Sequence, residues 1–153
     1  MMHDSDTDLV TILLDLIGFF NSPRQDDALL KAASVQLDRA LFPLLLRIGT
    51  MGPLNVAELA ELVGRDPSTV SRQVAKLEGW RLVERVGGED RRTRAAGITA
   101  KGRRTVDALA AAREAMLETA LAGWSAKDRE TLARLNRRFV DGLKVGVSPP
   151  GAR

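Results

Sequence analysis

The 153-residue chain contains no cysteine, no tyrosine and a single histidine, His3, and aromatic residues make up only 4% of it. Without cysteine there is no disulfide, no thiolate nucleophile, no cysteine redox sensor and no Cys-ligated zinc. One histidine, in an N-terminal segment that we expect to be frayed, argues against a histidine metal site or histidine acid–base catalysis. The sequence also lacks a GxSxG motif and a glycine-rich phosphate loop followed by lysine. We therefore expect no enzyme and no metal or cofactor.

Long apolar runs are missing too. The most apolar stretches, residues 9–20 and 40–46, fall short of the roughly 18 residues that a membrane-spanning helix needs. The first eight residues are acidic, whereas a secretory signal begins with basic residues. We expect a cytoplasmic protein with no membrane partner.

Positive charge is concentrated in one block of the chain. The formal net charge is only +3, but residues 65–104 carry 11 basic and 5 acidic side chains, net +6, while residues 1–64 carry 4 and 9, net −5. A basic block inside a nearly balanced chain is typical of a surface that faces phosphates.

Helical periodicity dominates both ends of the chain. An apolar stripe over Leu9–Phe20 predicts one helix, ended by Pro23, and a weaker helical pattern covers residues 25–36. The C-terminal part predicts a long helix over residues 101–123 and a last helix that Ser125 caps. These terminal helices carry more apolar surface than one small core needs, which favours a partner subunit.

The central segment has a different order of elements. A helix beginning near Asp38 is followed by a short one capped by Asn55, a turn at Gly64, and a helix from Pro67 to about Gly79. Two strands, residues 82–86 and 94–99, then flank a polar, glycine-rich loop. Helix, turn, helix, strand, basic loop and strand together predict a winged helix-turn-helix.

The second helix of this motif carries the candidate DNA-reading side chains. Its apolar positions pack inward, and its other side presents short hydroxyl, amide and cationic groups that suit base edges and phosphates in a major groove. Arg72 can donate two hydrogen bonds to guanine, Gln73 can pair with adenine, and hydroxyls in the first turn can help to hold a phosphate. The candidates on this helix are Ser68, Thr69, Ser71, Arg72, Gln73 and Lys76.

The loop between the strands supplies a second group of candidates. Asp90 precedes Arg91 and Arg92 in a loop that begins with two glycines. An arginine at such a tip can enter the minor groove, and Asp90 can orient a neighbouring guanidinium. Either arginine can take the groove position on these grounds.

These segments resemble the MarR family of bacterial transcription regulators. The resemblance rests on Gly52–Glu61, Asp66–Glu78, Leu82–Arg85 and the Asp-x-Arg element at Asp90 and Arg92, and it is dense across residues 37–104. It implies a homodimer whose two winged helices bind the halves of a pseudo-palindromic double-stranded DNA operator. It also implies repression of nearby genes, with release when a small, often aromatic or anionic, ligand binds.

The expected fold is thus mainly α with a small β-hairpin wing, in one compact domain overall. Residues 1–36 and 101–147 would form the helical dimerisation region, residues 37–100 the winged helix-turn-helix, and residues 148–153 a flexible tail. The alternative function is a winged-helix protein-interaction module without DNA-binding activity, which would have no need of the arginines and the glutamine named above.

Two positions depart from the family pattern. The family usually has glycine just before the Leu-Val strand, where it makes a left-handed turn, but here that position is Arg81 and the glycine is Gly79. We expect a different helix end, with Trp80 packed under the wing. Residues 94–97 contain no β-branched residue, which makes them a poor strand sequence.

Overall fold

The computed structural model of the protein describes residues 4–88 and 94–147. They fold into two compact units, Met1–Glu114 and Ala115–Arg153. The helices are α1 (Asp4–Phe20), α2 (Pro23–Ala32), α3 (Phe42–Met51), α4 (Val56–Val63), α5 (Pro67–Gly79), α6 (Ala100–Ala120) and α7 (Ala126–Val147). The strands are β1 (Val83–Val86) and β2 (Ala95–Ile98), and a 3-10 turn, Arg39–Leu41, precedes α3. The mainly α fold with a small hairpin is confirmed.

Helix α2 begins and ends earlier than the pattern over residues 25–36 predicted. Pro23 occupies the first turn, where its missing N–H is no loss. The helix ends because Ser34 adopts a left-handed conformation with a φ of 54°. The amides of Ser34 and Val35 then donate to the last carbonyls, those of Lys31 and Leu30, at 3.0 and 2.9 Å.

The third helix starts as the sequence predicted, with a tightened first turn. Asp38 accepts a hydrogen bond from the amide of Ala40 at 2.9 Å, which caps the 3-10 turn. Pro43 follows at the start of α3, where a proline fits the backbone without breaking a bond. This start directs Leu44, Leu45 and Ile48 into the interior, where all three are fully buried.

The core of the first unit joins α3 to the helix-turn-helix and to α6. Its fully buried side chains come from α3 and the turn before it, from α4, from α5 and from α6: Leu41, Leu44, Leu45, Ile48, Leu59, Val70, Val74, Leu77 and Leu109. Two glycines let backbones approach closely, since a Cβ on Gly102 would lie 2.0 Å from the carbonyl oxygen of Leu82, and one on Gly49 would lie 3.0 Å from Val106. Helix α6 is therefore seated against α3 and the start of β1.

The hairpin forms despite the poor strand sequence of β2. Strands β1 and β2 are antiparallel, with Val83 opposite Ile98 and Val86 opposite Ala95. Ala96 is buried and also exchanges backbone hydrogen bonds with Leu54, so β2 is paired on both edges. Gly97 leaves room for the side chain of Val86, whose γ carbons would lie 3.2 Å from an added Cβ. Small residues suit a strand held between two neighbours.

The second unit contains the last residues of α6 and helix α7. Gly123, with a φ of 81°, lies in the turn between them, and the amide of Asp128 donates to the Ser125 hydroxyl at 3.1 Å. That hydroxyl donates to the Asp128 carboxylate at 2.6 Å, so the predicted cap forms, with its reciprocal bond between the two side chains. Arg129 binds Glu118 at 2.8 Å and donates to the carbonyl of Leu121, which ties α7 to the end of α6.

The apolar side chains of α1 are largely exposed instead of packing on this core. Eight of its apolar side chains are exposed: Leu9, Val10, Ile12, Leu14, Leu16, Ile17, Phe19 and Phe20. In α7 the exposed ones are Leu132, Leu135, Val140 and Leu143. Isolated apolar residues on a surface are ordinary, but contiguous sets of this size mark an interaction site.

In the part of the chain that the structure describes, no helix combines the length and the hydropathy needed to cross a membrane.

Candidate nucleic-acid interface

The short helix α4 and its turn position the helix that follows. Asn55 and Glu58 form the predicted capping box, with the two reciprocal hydrogen bonds at 2.8 and 2.9 Å. Gly64 then adopts a left-handed conformation, φ 64° and ψ 38°, which ends α4 and turns the chain within three residues. The turn is tight because glycine takes this conformation without steric cost.

Helix α5 separates a buried stripe from a polar face. Val70, Val74 and Leu77 are fully buried, so the axial rotation of the helix is set by core packing. Ser68, Ser71, Arg72 and Lys76 are exposed, and Thr69 and Gln73 are half-buried at the edge of the stripe. None of the six predicted side chains is therefore part of the buried stripe of α5.

The first turn of α5 carries a carboxylate among the predicted phosphate-binding hydroxyls. The carboxylate of Asp66 accepts the amide of Thr69 at 3.0 Å, and it also accepts the hydroxyls of Ser68 and Thr69. The Ser68 hydroxyl and the Thr69 amide hold the pKa of the Asp66 carboxyl below its ordinary value. In this structure the donors of Ser68 and Thr69 therefore serve the helix cap, and their contact with a phosphate stays a prediction.

Gln73 is held by a residue that sequence reasoning did not select. One guanidinium nitrogen of Arg65, Nη1, donates to Gln73 Oε1 at 3.0 Å and to the carbonyl oxygen of Ala40 at 2.6 Å. Arg65 thus links the turn, α5 and the 3-10 turn before α3. No motif identifies such a role, because Arg65 and Ala40 are 25 residues apart in sequence.

An ion pair joins α5 to the hairpin. Arg85 Nε on β1 lies 2.8 Å from Glu78 Oε1 near the end of α5, with both side chains partly exposed. At the base of the loop, Arg94 donates to the carbonyl of Gly88 at 3.3 Å. The predicted wing-tip residues Asp90, Arg91 and Arg92 lie outside the described residues.

The end of α5 keeps the left-handed turn without the glycine. Arg81 has a φ of 58°, its amide donates to Glu78 at 2.8 Å, and the amide of Leu82 donates to Leu77 at 3.0 Å. The expected different helix end is therefore wrong, since the geometry is that of a left-handed cap. The expected packing of Trp80 under the wing is wrong as well, because this side chain is 46% exposed.

The buried stripe, the tight turn, the exposed polar face and the two-stranded hairpin define a winged helix-turn-helix module. A family model described as HVO_A0114 matches residues 37–96, the part that contains this module. The chain is 36% identical over 110 residues to YxaD of Bacillus subtilis (strain 168), an uncharacterized HTH-type transcriptional regulator, covering 69% of this chain and 77% of that protein.

Solved structures show the same fold. A MarR family protein from Bacillus stearothermophilus superposes with a TM-score of 0.80 at 22% identity, covering 94% of this chain and 99% of that one. A transcriptional regulator from Thermotoga maritima gives a TM-score of 0.68 at 22% identity, covering 94% and 99%. The chain belongs to the HTH-type transcriptional regulators, as its identity to YxaD shows, and it has the fold of the MarR family proteins.

Membership of this family confirms two of the predictions made from the residues. The protein is a DNA-binding transcriptional regulator, and it is not an enzyme, because the members of the family are regulators.

Proposed function

We propose that the protein is a homodimeric repressor that binds a pseudo-palindromic operator and leaves it when a small ligand binds. The observation that carries this proposal is the polar and cationic face of α5, which lies opposite the fully buried Val70, Val74 and Leu77. A helix locked by its core side and capped at both ends can enter a major groove as a rigid body.

The side chains of this helix divide by chemistry. Arg72 is exposed and has a flat fork of donors that matches guanine, and Lys76 supplies a charge for a phosphate. Ser71 is exposed between them and can bond to either a base or the backbone. The wing arginines, Arg91 and Arg92, would add the minor-groove contact, with Asp90 orienting one of them.

Dimerisation is supported by the exposed apolar surfaces of α1 and α7. Leu14 and Phe20, 62% and 68% exposed, would lie in water on a monomer, which is an unfavourable environment for side chains of this size. A second copy of the chain offers the same surfaces and buries both sets at once. We assign residues 1–36 and 101–147 to this dimerisation region, and the two half-sites would lie about 10 bp apart on one face of DNA.

The absence of cysteine supports ligand release. With no thiol to oxidise, a cysteine redox switch is excluded, which leaves ligand binding or no switch at all, and a small aromatic or anionic molecule fits the family resemblance. A protein of this kind acts where the DNA is, which in a bacterium is the cytoplasm.

Binding of the purified protein to fragments of its own upstream DNA tests the function. We expect a dissociation constant that rises steeply with salt, because binding releases counterions from the phosphates. Arg92→Ala should weaken binding to all sequences, whereas Arg72→Ala should relax the preference at one base pair by about 1–3 kcal/mol. Lys127→Ala, which removes an exposed charge at the start of α7, is the matched control and should change neither.

The oligomeric state is measured in the same preparation. Sedimentation should give twice the chain mass, and Leu14→Glu should convert the dimer to a monomer while Asp15→Ala, its exposed neighbour, should not. Failure to bind any upstream fragment at low salt would favour the protein-interaction module, and a wild-type monomer at micromolar concentration would refute the dimer.

A further inference from the structure

We infer that Arg39 and Arg65 form a phosphate-binding pair beside α5, which contacts one strand of the DNA backbone. The inference rests on the proposed function and adds to it a contact that lies outside both α5 and the hairpin. Arg39 belongs to the acidic first part of the chain, residues 1–64, so the distribution of charge along the sequence does not single it out. The ligand is a phosphodiester of double-stranded DNA, and contact with it does not depend on base sequence.

Helix α5 is held between two elements that lie at opposite edges of its buried stripe. At 3.6 residues per turn, Gln73 lies beside one edge of the stripe and Glu78 beside the other. Glu78 accepts a hydrogen bond from Arg85 of β1, so the hairpin lies along its edge. Gln73 accepts one from Arg65, which also donates to the carbonyl of Ala40, so the 3-10 turn lies along the opposite edge. The hairpin and the 3-10 turn therefore flank α5 on its two sides.

A helix in a major groove has a strand of phosphates on each side. The groove is about 12 Å wide and a helix with its side chains measures about 10–12 Å across, so elements along both edges of the helix come close to the backbone. The hairpin lies on one of these sides. On the other side lies the 3-10 turn, which begins with Arg39.

Both arginines lack a carboxylate partner among residues 4–88 and 94–147. Arg39 is exposed, and within the same residues its side chain makes no hydrogen bond. Arg65 is half-buried, and its two bonds, at 2.6 and 3.0 Å, go to the neutral oxygens of Ala40 and Gln73. Because a cation that is partly withdrawn from water is unfavourable without a counter-charge, this position favours an anion.

Two carboxylates are close to the pair in sequence, and each of them caps a helical turn. Asp38 accepts the backbone amide two residues further on at 2.9 Å. Asp66 accepts the amide three residues further on at 3.0 Å, together with two hydroxyls. The exposed cations Arg72 and Lys76 lie nearer to the Gln73 edge of α5 than to the opposite one, so positive charge exceeds negative charge on this side of the helix.

The salt dependence of DNA binding tests the pair. The affinity of the full-length protein is measured across a range of salt concentrations for a fragment of its own upstream DNA and for a duplex of unrelated sequence. Arg39→Gln removes one charge and no described bond, so it should weaken binding to both duplexes by about three- to tenfold near about 0.1 M salt. The slope of log affinity against log salt should become shallower by about 0.9, the value for one phosphate contact on B-DNA.

Matched variants separate the effect of charge at this position from other effects. Arg24→Gln removes an equally exposed arginine from the first turn of α2 and should leave affinity and slope unchanged. Arg65→Lys and Arg65→Gln both change the bonds to Ala40 and Gln73, but only the glutamine variant loses the charge. The slope should therefore become shallower in Arg65→Gln and stay at the wild-type value in Arg65→Lys.

Each outcome decides a separate part of the inference. An Arg39→Gln variant with wild-type affinity and slope would overturn the pair and leave the proposed function intact. Equal slopes for Arg65→Lys and Arg65→Gln would overturn the part of Arg65, which would then only stabilise the turn. A loss of affinity confined to the upstream fragment would contradict a phosphate contact, because phosphates carry no sequence information. Absence of binding to either duplex by the wild type would overturn the proposed function itself.

Discussion

Arg81 and Ser34 are the two non-glycine residues that the described part of the chain holds at a positive φ, and Arg81 offers the sharper test of backbone strain. It is not glycine, yet its φ of 58° lies in the left-handed region, because the end of α5 requires that conformation. Its amide and that of Leu82 close the two hydrogen bonds of the cap, and its carbonyl accepts the hydroxyl of Thr99 at 2.7 Å. Within the described residues, the exposed side chain of Arg81 makes no hydrogen bond or ion pair of its own. Replacing Arg81 by glycine should therefore relieve strain and remove no contact.

The expected change in the free energy of unfolding for Arg81→Gly is the balance of two opposing effects. A left-handed backbone costs a residue with a Cβ about 1–2 kcal/mol relative to its preferred conformations. Glycine removes that cost but loses more backbone entropy on folding, which offsets about 0.5–1 kcal/mol. The net stabilisation for Arg81→Gly is about 0.5–1 kcal/mol, which corresponds to a rise in melting temperature of about 1–4 °C for a chain of this size.

The assay is urea unfolding, supported by thermal melts, with two matched variants. Arg81→Ala removes the side chain but keeps the Cβ, and should give none of the gain. Gly64→Ala places a Cβ at the corresponding left-handed residue of α4, where φ is 64° and an added Cβ meets no atom within 4 Å, so it should lose about 1 kcal/mol through the backbone alone. Equal stability of the glycine and alanine variants at position 81 would refute the reasoning, since the effect would then not come from the backbone.

The other predictions concern a close backbone contact and a helix cap. Gly102→Ala should destabilise the protein by more than about 3 kcal/mol in urea unfolding, because the new Cβ would lie 2.0 Å from the carbonyl oxygen of Leu82, and neither backbone can yield cheaply. Gly79→Ala, which adds a Cβ in open space on a helix, is the control and should stabilise by about 0.5–1 kcal/mol. Asp66→Ala should lower the free energy of unfolding most at neutral pH. The pKa of Asp66 in the folded protein lies below its ordinary value of 3.8, so the ionised carboxylate contributes its full stabilisation above pH 3.8 and loses it as the pH falls through the folded-state pKa. If the stability difference between wild type and Asp66→Ala did not narrow in acid, this assignment would be contradicted.

Predictions from sequence held where the signal was local. The capping box at Asn55, the proline-led start of α5 after Asp66, and the tight turn at Gly64 all appear as predicted, since each needs only residues within a few positions of one another. The tightened turn before Pro43 belongs to the same group. These features place α5 within the chain before any tertiary contact is considered.

Distant residues decided the remaining features. The strand predicted over residues 94–99 does form, as Ala95–Ile98, although its residues are poor strand formers, because Leu54 and β1 flank it on both edges. The predictions for the end of α5 failed. Arg81 adopts the left-handed conformation that usually favours glycine because it lies in the short connection between α5 and β1. The packing of these two elements outweighs the local backbone strain. Trp80 is exposed for the same reason, since this helix end directs it outward.

The sequence by itself determined the class of protein: the missing cysteines, the single histidine, the basic block over residues 65–104 and the order of caps and turns specify a winged helix-turn-helix. Only the tertiary structure decided how individual side chains are held. The hydrogen bonds from Arg65 to Gln73 and to Ala40 join segments 8 and 25 residues apart, and their geometry depends on how three elements pack. A periodic pattern tells which side of a helix is polar, but whether an amide oxygen on that side is free is a property of its neighbours in space.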